Sequence, residues 1–146
     1  MEISVEYHPG EVQVIVRGQE DSEELLRILS LLRGEQDKLW GWDEHRTMVA
    51  ISPQQIIWAE MVENKVFVYT EKAMYQTSFG LSDLEGRWEE MGFFRCAKSV
   101  VINLNAVTSL RSCPGGRIEA RMVTGEKVVV SRRYAPLLRA RIQEGG

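Results

Sequence analysis

Cysteine and histidine are scarce in this chain, two of each among 146 residues. Cys96 and Cys113 form no CxxC pair, and only His8 and His45 could join them as ligands, so neither a metal site nor any cofactor is expected. No apolar run approaches the roughly 18 to 20 residues that cross a bilayer. Met1-Glu2-Ile3-Ser4 also lacks the basic start and apolar stretch of a signal peptide, and a cytoplasmic protein is expected. A GxGxxG or GK[ST] loop between strand and helix is missing; Gly115-Gly116 reads as a hairpin turn, which removes the usual cradle for nucleotide phosphates. Neither histidine has the serine or cysteine and carboxylate of a nucleophile with its base, and Asp43-Glu44 before His45 reads as surface charge. The pairs Glu23-Glu24 and Glu89-Glu90 fall on predicted helices, where neighbours point about 100 degrees apart and cannot face each other across a substrate. These gaps point away from an enzyme.

What is present is an uneven distribution of charge. The net charge is −3, yet residues 95–141 hold ten basic side chains against Glu119 and Glu126, a local balance of +8 that leaves −11 for the remainder. Such a division favours a polyanion-binding surface at one end of the molecule. With 44% hydrophobic and 27% charged residues, a folded core is expected. The length suits one ordinary domain with a small extra element.

That extra element is read at the N-terminus. Ile3, Val5 and Tyr7 alternate with polar residues, as do Val12, Val14 and Val16, and Pro9-Gly10 lies between them, a β-hairpin pattern. Asp21-Ser22-Glu23-Glu24 then opens an amphipathic helix with Leu25, Ile28, Leu29 and Leu32 on one stripe and Gly34 at its end. A ββα piece this small cannot bury a core alone. Residues 1–43 are therefore read as an appendage and joint, the joint carrying Leu39, Trp40 and Trp42, with a possible dimerisation or regulatory role.

From residue 44 the pattern changes to short strands and turns. Strands are predicted at 48–51, 56–61, 66–70 and 74–78, and then at 100–104, 107–111, 117–123 and 127–130. Between the two groups lies a helix with Ser82 and Glu85 at capping-box spacing, Leu84, Trp88 and Met91 on one face, and Gly92 at its end. A last helix spans 134–142, with Pro136 confined to its first turn. Trp58 and Trp88 are read as core residues, as is Cys96, which sits among Phe93, Phe94 and Val100.

Phe94-Arg95-Cys96-Ala97-Lys98-Ser99-Val100-Val101-Ile102-Asn103-Leu104, followed by Val107, resembles the central signature of LytTR domains. Gly125 to Val130 with Ser131-Arg132-Arg133-Tyr134 resembles their closing strand and motif. Ile51-Ser52-Pro53, Ile56 to Glu60 and Leu81 to Leu84 fall where the family has its opening strands and helix. The resemblance covers residues 44–146. It implies a mainly β (α+β) fold of layered antiparallel sheets with short helices, to which the ββα element is added.

The resemblance also implies a transcription regulator whose sheet-edge loops read successive major grooves of double-stranded DNA. Carried over by position, Lys98 and Arg133 are the first base-reading candidates, because both can donate to guanine O6 and N7. A third reading position falls at Asn64-Lys65-Val66; Val66 stands where a polar side chain is expected, so Asn64 or Lys65 is the substitute. Arg95, Ser99, Arg117, Lys127 and Arg132 are candidate phosphate contacts. The chain resembles short members without a receiver domain, and its acidic, apolar-striped N-terminus makes a homodimer on repeated half-sites the expectation. Regulation by a sequestering membrane protein is compatible with the family, and no small-molecule substrate is indicated. The competing reading is a non-enzymatic protein-interaction β-module.

Overall fold

In the computed structural model the chain is described over residues 1–33 and 38–145. It divides into two compact units, residues 1–36 and 37–146.

In the smaller unit, helix α1 spans Glu23–Arg33. Ser22 begins it: its Oγ accepts from the Leu25 amide at 3.3 Å, and Glu23 and Glu24 place acids on the positive end of the helix dipole. The predicted C-terminal residue Gly34 lies outside the described residues. The predicted hairpin is absent, since residues 1–20 contain no strand, and Ile3, Val5, Tyr7, Val12 and Val14 are exposed. Two strands alone are marginal in water, and among the described residues of this unit no third strand is present to pair with them.

Among the described residues of the larger unit, two runs of five strands are each followed by a helix: β1 Leu39–Trp42, β2 Met48–Ile51, β3 Trp58–Val62, β4 Lys65–Tyr69, β5 Met74–Thr77, α2 Leu81–Arg87, β6 Phe93–Ala97, β7 Val100–Asn103, β8 Val107–Cys113, β9 Arg117–Met122, β10 Lys127–Val130 and α3 Ala135–Gly145. Among the described residues the strands form a seven-stranded antiparallel sheet, β2-β1-β5-β4-β3-β7-β6, and a three-stranded sheet, β10-β9-β8. Residues 39–42, assigned from sequence to the joint, are thus a strand paired with both β2 and β5. Asp43 shapes the following turn, its Oδ1 accepting from the amides of His45 and Thr47.

Two cores lie on opposite faces of the larger sheet. On one, Ile51, Ala59, Val66, Val68, Val101 and Phe93 pack with Leu81, Leu84 and Trp88 around α2. On the other, Ile57, Phe94, Cys96 and Ile102 meet Ile118, Ala120, Met122 and Val130 of the smaller sheet and Ala135 and Leu138 of α3. The consecutive Phe93 and Phe94 therefore enter different cores. This is why β7 begins as the apolar run Val100-Val101-Ile102: a strand covered on both faces has no polar side.

Helix α2 starts two residues before the position read from sequence. Its cap is Gly80, whose amide donates to Asp83 Oδ2 at 2.8 Å, so Ser82 and Glu85 lie inside the helix. The signature asparagine, Asn103, is buried, with Nδ2 donating to the Ile56 carbonyl at 2.9 Å and Oδ1 accepting from the Asn105 amide at 3.0 Å. It ties the loop before β3 to the end of β7. Arg141 of α3 donates to the Phe93 carbonyl at 3.2 Å and to the Glu89 carbonyl at 2.5 Å, fastening the last helix to the start of β6. No helix of the described residues is long and apolar enough to cross a membrane.

Candidate nucleic-acid interface

Three connections carrying the sequence candidates gather at one end of the larger sheet. β3 and β4 are joined by the two-residue turn Glu63-Asn64, closed by the pair Val62 and Lys65. Both turn residues have positive φ, 52° and 63°, the backbone of a type I′ turn whose twist matches the strands it joins. Asn64 and Lys65 are exposed there, whereas Val66 is buried in the α2 core. Of the three candidate positions here only 64 and 65 reach the surface, beside the exposed acid Glu63.

Beside it, β6 and β7 are joined by Lys98-Ser99, closed by Ala97 and Val100. Adjacency of the two turns follows from the antiparallel pairing of β3 with β7, and the Met61 amide donates to the Ser99 carbonyl at 2.9 Å. Lys98 is exposed at the tip and Ser99 half-buried behind it. The register of β6 shifts between Arg95 and Ala97, leaving Cys96 in a bulge. Its thiol is fully buried, donates to the Val100 carbonyl at 3.5 Å, and is pushed up to about 12 by that burial.

The third connection, from β10 to α3, carries Ser131-Arg132-Arg133-Tyr134. The Ser131 amide donates to the Cys96 carbonyl at 2.8 Å, which anchors this turn on the bulge of β6. The Ser131 carbonyl in turn accepts from the Tyr134 and Ala135 amides and opens α3. Arg132 and Arg133 are both exposed, and the Arg133 guanidinium lies 5.7 Å from the Tyr134 ring centre. The β8–β9 turn abuts the same place: a Cβ on Gly116 would lie 3.0 Å from Arg132 Cγ. Arg117 follows that turn, exposed, its Nε donating to the Pro114 carbonyl at 3.3 Å.

Two candidates are placed otherwise. Lys127 begins β10, about 10 Å along the strand from Val130, and its Nζ lies 4.0 Å from a Glu119 carboxylate that also accepts from Arg111 at 3.2 Å. Arg95 has a side chain only 18% exposed, and its guanidinium is bonded within its own hairpin.

The family model of the LytTr DNA-binding domain matches residues 46–143. The chain belongs to the LytTR family. Two curated relatives, each called sensory transduction protein LytT, from Bacillus cereus and Bacillus anthracis, are 30% identical over 93 residues; the match takes in 64% of this chain and 38% of theirs. The chain thus spans under half the length of these relatives. Among solved structures, the LytTr DNA-binding domain of a putative methyl-accepting/DNA response regulator from Bacillus cereus has the same fold, with TM-score 0.67 and 20% identity over 72% of this chain and 95% of that one.

Within this LytTR domain the sequence reading passed over two basic residues. Arg121 shares the outer face of the smaller sheet with Arg117, Lys127 and Arg111, in a patch centred on Glu119. The available signal was the period-two spacing of Arg117, Glu119 and Arg121 along β9.

Proposed function

We propose that this LytTR protein is a sequence-specific regulator of transcription that reads double-stranded DNA from the end of the sheet where its three turns meet. The observation that carries this reading is the Ser131–Cys96 hydrogen bond, which holds the Arg133 turn against the Lys98 hairpin, two exposed cations at the tips of rigid elements. Lys98 and Arg133 read base edges in successive major grooves, with Asn64 and Lys65 contributing from the neighbouring turn. Arg117, Arg132 and Ser99 contact phosphates beside them, and the basic outer face of the smaller sheet adds attraction that does not depend on sequence. The protein acts without catalysis, in the cytoplasm, and pairs with a second copy on repeated half-sites. Residues 1–36, in which Ile3, Val5, Tyr7, Val12, Val14 and Leu26 are exposed, supply a contact for that pairing.

The test is selection of bound sequences from a random duplex pool by the purified protein, repeated with Lys98→Ala and Arg133→Ala. A spaced repeat recovered by the wild type and lost in the variants supports the assignment; each replacement costs about 1–3 kcal/mol at its own position. Enrichment that survives the double replacement sinks it. A second reading, a protein-interaction module, rests on Trp40, Met48 and Met74, about half exposed on one face of β1, β2 and β5. A folded wild type that enriches no duplex would favour it.

A further inference from the structure

We infer that Arg95 is a positioning residue: its guanidinium sets the shape of the Lys98-Ser99 turn and thereby aims Lys98, and this rests on the reading of Lys98 as a DNA contact. Two-residue hairpin turns normally take positive φ at one or both positions, because only then does their twist match the strands. The neighbouring Glu63-Asn64 turn obeys that rule and holds its own shape. The Lys98-Ser99 turn does not, since neither residue has positive φ, and neither is a glycine or asparagine that would favour it. Its geometry has to be imposed from outside. The bulge at Cys96 supplies part of the twist.

Arg95 supplies the rest. Nε donates to the Ala97 carbonyl at 3.0 Å and Nη2 to the Lys98 carbonyl at 2.5 Å, so one rigid fork fixes two successive peptide planes of the turn. On its other side Nη1 lies 3.4 Å from Glu85 Oε2, a carboxylate carried by α2. The chain of contacts runs from α2 through Glu85 and Arg95 to the backbone that presents Lys98. Lysine at position 95 keeps the charge but cannot span both carbonyls from one planar group.

The test compares the wild type with Arg95→Lys, Arg95→Gln and Glu85→Gln by two readouts. In the free proteins, backbone amide relaxation by NMR is expected to show increased motion at Lys98 and Ser99 in both Arg95 variants, with the Glu63-Asn64 turn unchanged. Binding is then measured on a duplex enriched by the wild type and on a scrambled duplex of equal length. Arg95→Lys is expected to lower the preference between them about tenfold while leaving scrambled-duplex binding and its salt slope as they were. Glu85→Gln is expected to lower the preference in the same sense, although it removes a negative charge. A plain phosphate contact behaves oppositely: Arg95→Lys keeps the preference, Arg95→Gln weakens both duplexes alike, and Glu85→Gln tightens both. That pattern, or unchanged relaxation at Lys98 and Ser99, overturns the inference. A wild type that enriches no duplex would overturn the DNA reading instead, and the relaxation measurement then decides the turn alone.

Discussion

The amide of Ser131 and the carbonyl of Cys96, 2.8 Å apart, join two connections that are 35 positions apart in sequence. Because the bond is between backbones, it holds the Arg133 turn against the Lys98 hairpin whatever side chains they carry. Lys98 and Arg133 should therefore not act independently. A double-mutant cycle of Lys98→Ala and Arg133→Ala on the selected duplex is expected to give a coupling of at least about 0.5 kcal/mol. Additive losses would mean that the two turns move separately.

Glu119 neutralises part of the basic face, since its carboxylate accepts from Arg111 at 3.2 Å and lies 4.0 Å from Lys127. Glu119→Gln should tighten binding to all duplexes several-fold and steepen the salt dependence by up to about 0.9 in log–log slope for each phosphate newly neutralised. Lys127→Ala, already shared with that carboxylate and remote from the turns, should weaken binding less than Arg117→Ala. Titrations at two salt concentrations check both statements.

Gly116 and Gly125 separate backbone cost from interface cost. Both have positive φ, 77° and 93°, so alanine at either should destabilise the fold by about 1 kcal/mol or more. Only at Gly116 would the added Cβ press on Arg132; at Gly125 it meets nothing within 4 Å. Thermal unfolding should shift similarly in the two variants, while DNA affinity should fall in Gly116→Ala alone. Equal affinities would show that the Arg132 stem is free to move aside.

Burial keeps the Cys96 thiol protonated up to about pH 12, against an ordinary value of 9.0. Between these values the unfolded chain releases a proton that the folded chain retains, so stability is full below about pH 9 and falls as pH rises, by about 1.4 kcal/mol per pH unit for this one group. Burial, with Glu60 adding to it, raises Tyr69 in the same direction. Urea unfolding at about pH 8.5 and about pH 10.5 should show a smaller loss for Cys96→Ala than for the wild type. Equal losses would contradict it. In the folded protein, thiol reagents should modify the half-buried Cys113 before Cys96.

The fold was legible from sequence where a strand with one wet face is long enough to show its alternation. β9 alternates Arg117, Glu119 and Arg121 with Ile118, Ala120 and Met122, and its bounds were read to within a residue. β6 was not seen, because Phe93 and Phe94 serve two cores and the bulge at Cys96 breaks what period is left. β1 was missed because its four residues, Leu39-Trp40-Gly41-Trp42, are too few to show a period, and only their pairing with β2 and β5 makes them a strand. The alternation at residues 3–16 erred in the other direction, having a period but no third strand to pair with. Lys98 and Arg133 were reached through the family resemblance. The partners of Arg95 were hidden because they are backbone carbonyls, whose positions depend on the turn and not on any residue type.

β6 is the last strand of its sheet, and an edge strand of five residues offers unpaired peptide groups onto which another chain can add. Here the C-terminal end of that edge is closed off: the Cys96 carbonyl is taken by Ser131, the register shifts at Cys96, and the Ala97 carbonyl is taken by Arg95. The opposite edge, β2, is only four residues long. At this edge of the larger sheet a second chain therefore meets no continuous template for strand addition. The bond that joins the Ser131 turn to β6 thus also guards that edge of the sheet against aggregation.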